Sequence, residues 1–366
     1  MAPAKRAELS ASTLTPTILE LIERCSWDIP ADVDKALLAA VQAEESGTNG
    51  RSALEAAVHA ADRARAEKVP VGSDPISVLL TVDAPADTVR APFEEALAAA
   101  TQEAAKSGII RTPFIDAATG KPRRGKDLGP IARIRFRDSN GPIQLHLWIR
   151  GMAEAGQTRV LSLPHPQIDG GASLESAVRA AVYAIYEAQG LVAGPGVIGV
   201  QIGADALAGV EGAIDQILRP IGSKNPSKPL VPLEARLLAE ANQLGVGPQG
   251  LGGQTTILAA HIGAADAPID RKSITVIATS WALRRHTVTL ADDGSIGSWD
   301  STLAAKKVRE PGEFGGAPPV EEPAEDEADE KAPTKKTAKK TAKKATKKTD
   351  AAPKKTAKKT TKKSKK

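Results

Sequence analysis

Up to about residue 70 the apolar positions recur at helical intervals. Leu37, Leu38 and Val41, and then Leu54, Ala57 and Val58, fall on one side of a 3.6-residue period, which predicts helices with one buried face. After Pro70 the period changes. ISVLLTV (Ile76 to Val82) is an apolar run of strand length, and EEALAAATQEAAKSG after it reads as a helix closed by Gly108. IARIRFR and IQLHLWIR alternate with period two, so Ile143, Leu145, Leu147 and Ile149 share one sheet face, and the intervening DSNGP predicts a hairpin or close neighbours. Ser173 is placed to cap a helix with an apolar stripe of Leu174, Val178, Ala181, Val182 and Ile185, and Gly190 to end it. A strand at Val197 to Gly203, helices at Ala206 to Leu218 and Pro232 to Gln243, and a strand at Ser273 to Ser280 complete a mixed α/β body ending near residue 305.

Composition refines this picture at the C-terminus. The 366 residues carry a net charge of +5, but the 36 from Lys331 onward hold 17 Lys against one acid, Asp350. With +16 on that tail, the other 330 residues carry −11. The chain therefore divides into a body (1–305), an acidic Pro-rich linker (306–331) that includes EEPAEDEADE, and a Lys/Ala/Thr-rich tail (332–366). The tail repeats KKTAKK without a large apolar residue, so it cannot offset its ordering entropy and is expected to be disordered. No stretch has the roughly 18 uninterrupted apolar residues of a membrane span, and the N-terminus has no signal-peptide core. The expected location is cytoplasmic, with nucleoid association through the tail. A single cysteine, Cys25, excludes an internal disulfide and any metal site built on several thiolates.

Between two apolar segments lies GVGPQGLGGQTT, Gly245 to Thr256. A phosphate-binding loop of the Walker type needs a Lys where this stretch has Gln254. The dinucleotide spacing Gly245, Gly247, Gly250 follows a helix and not a strand. A tight turn passing close to another segment is the better reading. The histidines His59, His146, His165, His261 and His286 show no metal-ligand spacing, and His146 falls opposite the apolar positions of its strand, where it would face solvent or a partner. His286 follows Ser280 by six residues, without the motif of an activated serine.

The loop belongs to LEARLLAEANQLGVGPQGLGGQTTIL, which resembles the iron–sulfur hydro-lyases: class I fumarases and the alpha subunit of L-tartrate dehydratase. RPIGSKN (Arg219 to Asn225), GVQIGAD (Gly199 to Asp205), SWALRR (Ser280 to Arg285), GIIRTPFID and KDLGPIARI are similar to further segments of that family, in order and with spacing kept. The resemblance runs from about residue 15 to 295 and implies the family's α/β alpha-type domain. In the family this domain holds a 4Fe-4S cluster through three cysteines, and the open iron acts as a Lewis acid when water is added to or removed from a dicarboxylate.

Carried over position by position, the resemblance places Gly72, Ala193 and Ser280 at the three cysteines. Gly and Ala have no donor atom, and a serine hydroxyl is a poor substitute for a thiolate. No cofactor is therefore expected. The groups that persist are Asp74, Arg111, Asp127, Arg284 and Arg285, with Thr255 and Thr256, and as candidate catalytic residues the carboxylates and guanidinium groups could still engage a dicarboxylate. The resemblance also implies homodimerisation and a separate beta-type partner, because no beta-type domain follows Arg285 here.

The tail points to a second activity. Lys335, Lys336, Lys339, Lys340, Lys343, Lys344, Lys347, Lys348, Lys354, Lys355, Lys358 and Lys359 form repeated pairs similar to those of linker-histone and bacterial histone-like tails. Such a segment binds DNA or RNA by counterion release, without reading sequence. The leading expectation is a cluster-less, non-catalytic scaffold or regulatory protein of this family with a nucleic-acid-binding tail. The alternative is an active hydro-lyase working with a beta-type partner.

Overall fold

The computed structural model describes residues 9–72, 76–111, 115–122, 131–151, 157–203, 205–300, 308–310 and 313–314. Three helices open the chain, α1 (Ala11–Trp27), α2 (Ala31–Ala43) and α3 (Asn49–Glu67). Ser10 starts α1 with a capping box shared with Thr13, and Thr48 caps α3 by accepting from the Arg51 N–H. Strand β1 (Ile76–Ala84) and helix α4 (Ala91–Lys106) follow, with Gly108 in the left-handed region just beyond the helix, where the sequence placed its stop.

A first sheet has the order β2 (Ile131–Asp138), β1, β3 (Gln144–Gly151), β8 (Arg284–Leu290), β9 (Ile296–Trp299). The DSNGP connection does not make a hairpin. β1 lies between β2 and β3, parallel to one and antiparallel to the other. Ile76, Val78, Leu80 and Val82 bury one face of β1, while Thr81 and Asp83 on the other bond Arg135 and Arg137 of β2, so β1 takes an interior position and the connection steps over it from one neighbour to the other.

A second sheet has the order β4 (Thr158–Leu163), β7 (Lys272–Ala278), β5 (Gly196–Ile202), β6 (Ile257–Ala264). Its remaining cover comes from α5 (Leu174–Ala188), α6 (Ala206–Leu218) and α7 (Val231–Gln243). Ser173 caps α5 as expected, but Gln189, at φ 46°, makes the left-handed exit assigned to Gly190. Gly190 is small for another reason, since a Cβ there would stand 2.7 Å from the Gln249 carbonyl. β7 ends at Ala278, short of Ser280, because the Thr279 hydroxyl turns to bond the Val197 backbone on β5.

Three cores order the layers. Leu145, Leu147 and Ile149 of β3 pack with Leu14, Ile18 and Phe93, putting α1 and α4 on the outer face of the first sheet. Val178, Ile185 and Leu237 place α5 and α7 on the outer face of the second. Between the sheets, Leu37, Val58 and Ile217 of α2, α3 and α6 meet Trp148 of the first sheet and Val197 and Ile277 of the second. Helix α6 sits tight on β5 because Gly199 has no Cβ to strike the Ala213 carbonyl.

The body does not end at residue 305. The Arg309 guanidinium bonds both oxygens of Asp62 and one of Asp34, two carboxylates buried in α3 and α2, and Phe314 packs into the central core. Residues 308–314 thus include part of the folded body, inside the segment the sequence assigned to the linker. Among the described residues no helix is long and apolar enough to cross a membrane. The tail lysines from Lys335 to Lys359, and the acidic run Glu321–Glu330, lie outside the described residues.

Candidate functional site

The glycine-rich loop connects α7 to β6 and folds back on itself. Gly245, Gly247, Gly250, Gly252 and Gly253 all have positive φ, and a Cβ at Gly247 would overlap the Gly252 carbonyl. Most of the turn's amide donors are already used. Those of Gln254 and Thr255 point at the carboxylate of Glu44, the residue closing α2, at 2.7–3.0 Å, and Glu44 is 1% exposed. Those of Thr256 and Ile257 bond Asn242 Oδ1 at 2.8 and 2.9 Å, and the Thr256 hydroxyl accepts from the Gly247 N–H. The seat that a phosphate would need is filled by an internal carboxylate.

The other family-like segments interlock in the same way. Glu234 Oε1 accepts from Arg219 Nη1, Asn225 Nδ2 and the Ile262 N–H at 2.7–2.8 Å. Arg285 donates to Asp32 at 2.5 Å and to the Arg219 carbonyl at 3.1 Å, and Asp32 in turn accepts from the Ile221 N–H. RPIGSKN, LEARLL and SWALRR are therefore three segments of one hydrogen-bonded framework. It ties α2, α7 and β8 together.

The loops carrying Gly72, Ala193 and Ser280 lie against one another. Arg284 Nη1 donates to the Val71 carbonyl at 2.8 Å, and Val71 packs with Ala282 and Trp281. The Trp281 N–H bonds the Ala193 carbonyl at 3.2 Å, and the Gln249 N–H bonds the Gly194 carbonyl at 3.0 Å. A cavity of about 20 Å³, room for one water, is lined by residues that include Gly194, Gly247, Thr256 and Thr279. Gly72 is exposed at φ +80°, Ala193 is half-buried at φ 53°, and Ser280 is buried.

These three positions offer no thiolate. Cys25 cannot serve them, because it is buried under the first sheet with Sγ donating to the Leu147 carbonyl, and burial pushes its thiol well above the ordinary range. Among the described residues no three His, Cys, Asp or Glu side chains are grouped to hold a metal ion. The residues present do not fit a thiolate-held cluster.

Of the candidate catalytic residues, Asp74 and Asp127 lie outside the described residues, and Arg111 is exposed. Arg284 and Arg285 are 5% and 4% exposed, with the backbone and carboxylate partners already given. Thr255 and Thr256 are buried in the loop. The structure thus brings Arg284 to the residue before Gly72 and Thr256 to Gly194, while Arg285 is held by Asp32 and Arg219 and the Thr255 amide by Glu44.

The histidines fall elsewhere. His146 is half-buried and not solvent-facing: its Nδ1 shares a hydrogen bond with Thr287 Oγ1 at 2.9 Å and its Nε2 one with Asp83 Oδ2 at 3.1 Å. Burial pushes its imidazole below the usual value against the pull of Asp83. Burial alone would raise the Asp83 carboxyl, but the two bonds and the charge of Arg137 hold it below the ordinary carboxylate range. Arg137 and Arg135 both reach Asp215 on α6, so this polar row brackets the first sheet to the middle layer. His286 is buried edge-on to Trp299, and neither ring nitrogen makes a hydrogen bond, so it does not activate Ser280. Sequence reasoning missed Glu44, which lies more than 200 residues from the amides it holds, and Arg309, which stands in a segment that reads as linker.

Comparison with known proteins bears on all of these segments together. The profile of the family described as Fumarate hydratase (Fumerase) matches residues 15–289. A protein of Geobacillus stearothermophilus, provisionally named fumarate hydratase class I, is 29% identical over 294 residues, covering 78% of this chain and 57% of that protein. The L(+)-tartrate dehydratase subunit alpha of Escherichia coli K12 is 37% identical over 89 residues, covering 24% of this chain and 29% of that subunit. The same figures hold for the subunit of that name from Shigella sonnei. The chain thus spans little more than half the length of the Geobacillus protein.

Proposed function

The chain belongs to the fumarate hydratase family, and from that premise we propose that it is a cluster-less member kept as a scaffold or regulatory protein, with a Lys-rich tail that binds nucleic acid. One observation carries the reading. Gly72, Ala193 and Ser280 supply no thiolate, while Glu234, Asn242 and Asp32 keep their hydrogen bonds to the neighbouring segments. A Lewis-acid step on a dicarboxylate needs an iron that these side chains cannot hold.

Anaerobic purification and reconstitution with iron and sulfide test this directly. The expected result is no stoichiometric iron, no visible absorbance of a cluster and no hydration of fumarate. Stoichiometric iron with hydration overturns it. A second reading, an active hydro-lyase completed by a beta-type partner, is favoured by the relatives named subunit alpha and by the unmatched remainder of the Geobacillus protein. It requires fumarate or tartrate turnover once such a partner is added.

For the tail, DNA retardation by the full chain is compared with that by a chain ending after Val320. A cut near Ala304 would remove Arg309 from Asp34 and Asp62 and damage the body itself. The full chain is expected to bind with an affinity that falls steeply with salt, and the shortened chain not to bind. Equal binding by both rejects the assignment.

A further inference from the structure

A cavity lies at the other end of the first sheet from Gly72 and Arg284. It forms where β1 runs into the turn before α4, where the chain enters β3, and where β8 turns toward β9. The nine residues of β1, at about 3.3 Å each, put roughly 30 Å between the two ends. Its volume is about 370 Å³, within the range of small-molecule sites. The apolar lining includes Phe93, Ile143 and Leu290, with Val89, 67% exposed, at the rim.

The polar groups of the lining are of one sign. Asp87 and Asp292 come from different loops, and both are exposed at the mouth of the cavity. No Lys, Arg or His is among the lining residues. The cation nearest in sequence to Asp87, Arg90, lies instead over the Phe136 ring, 4.9 Å from its centroid. Two carboxylates above an apolar floor suit a ligand with a cationic head and a hydrocarbon body.

We propose that this cavity is a binding site for an aliphatic primary amine. An ammonium has three N–H donors that diverge and can be shared between two carboxylates, whereas the planar guanidinium fork matches the edge of one. The hydrocarbon body displaces water from Phe93, Ile143 and Leu290, and the head takes up charge that nothing described in the lining neutralises. The site is independent of the iron question, since none of its lining residues belongs to the loops of Gly72, Ala193 or Ser280.

Titration calorimetry of the full chain at low salt with hexylamine, hexylguanidine and 1-hexanol tests the proposal. Hexylamine should bind saturably, one per chain, about tenfold or more tighter than 1-hexanol, which is the effect of one charge-assisted bond. Asp87→Asn with Asp292→Asn should erase that preference, and Ala291→Trp, filling the cavity without touching its charge, should abolish both. Equal affinity for amine and alcohol overturns the proposal. So does unchanged amine binding in the double variant, which would place the amine on the acidic run Glu321–Glu330. Tighter binding of hexylguanidine than of hexylamine overturns the assignment of the head group.

Discussion

Two sets of positions in the family-like segments differ in how they are bonded. Glu234, Asn242 and Asn225 each bond two or more partners across α7, β6 and the preceding loop. Gly72, Ala193 and Ser280 carry no thiolate. Residues whose loss would leave buried amides and guanidinium groups unpaired are present. Under the proposed function, the corner they hold is architecture kept for the fold.

Breaking the first set should have the largest effect. Glu234→Ala removes the acceptor of Arg219, Asn225 and the Ile262 amide at once, leaving a largely buried guanidinium without its ion pair. The expected cost is about 3 kcal/mol, read from urea denaturation at constant m-value. Asn242→Ala leaves the amides of Thr256 and Ile257 without their acceptor and should cost about 2 kcal/mol. If either variant were within about 0.5 kcal/mol of the native chain, these side chains would not be holding the corner together.

The second set should be tolerant. At Gly72 nothing lies within 4 Å of an added Cβ, so Gly72→Cys meets only the strain of its φ of +80°, about 1–2 kcal/mol. Ala193 already carries a Cβ at φ 53°, and Ser280→Cys is nearly isosteric, so each should change stability by less than about 1 kcal/mol. The triple cysteine variant is therefore expected to fold, since packing does not exclude a thiolate at any of the three positions. Its uptake of iron and sulfide, followed by visible absorbance, sharpens the comparison: a bound cluster would mean that the site's geometry outlived its ligands.

The sequence made the strands, the helices and the interlocking motifs legible because each is set by a local pattern. Period-two alternation placed Leu145, Leu147 and Ile149 on one face, and Ser173 marked the start of α5. Pairing order was not legible, since nothing local in DSNGP says that β1 lies between the strands it joins. Nor were long-range acceptors. Glu44 looks like a surface acid at the end of α2 until the amides of Gln254 and Thr255 are brought to it, and Arg309 is one cation in a Pro-rich segment until Asp34 and Asp62 are seen without other access to solvent.

The smallest effect tests the two sheets against each other through pH. His146 lies on β3 of the first sheet and His261 on β6 of the second, and burial lowers the pKa of each below the ordinary 6.5. Asp83 pulls His146 the other way, and for His261 the bond of Nδ1 to the Gln216 carbonyl does the same, but burial wins in both. A histidine with a depressed folded value binds its proton more readily in the unfolded chain, so folding stability is full above about pH 6.5 and falls as pH drops below it toward the folded value. Urea titrations between about pH 7.5 and 5.5 should show that fall in the native chain. His146→Gln should flatten it, because Gln can still bond Thr287 and Asp83 but takes up no proton. His261→Gln should flatten it independently, the two sites being on different sheets with no shared partner. A slope unaltered in the double variant would assign the pH response to groups other than these two histidines.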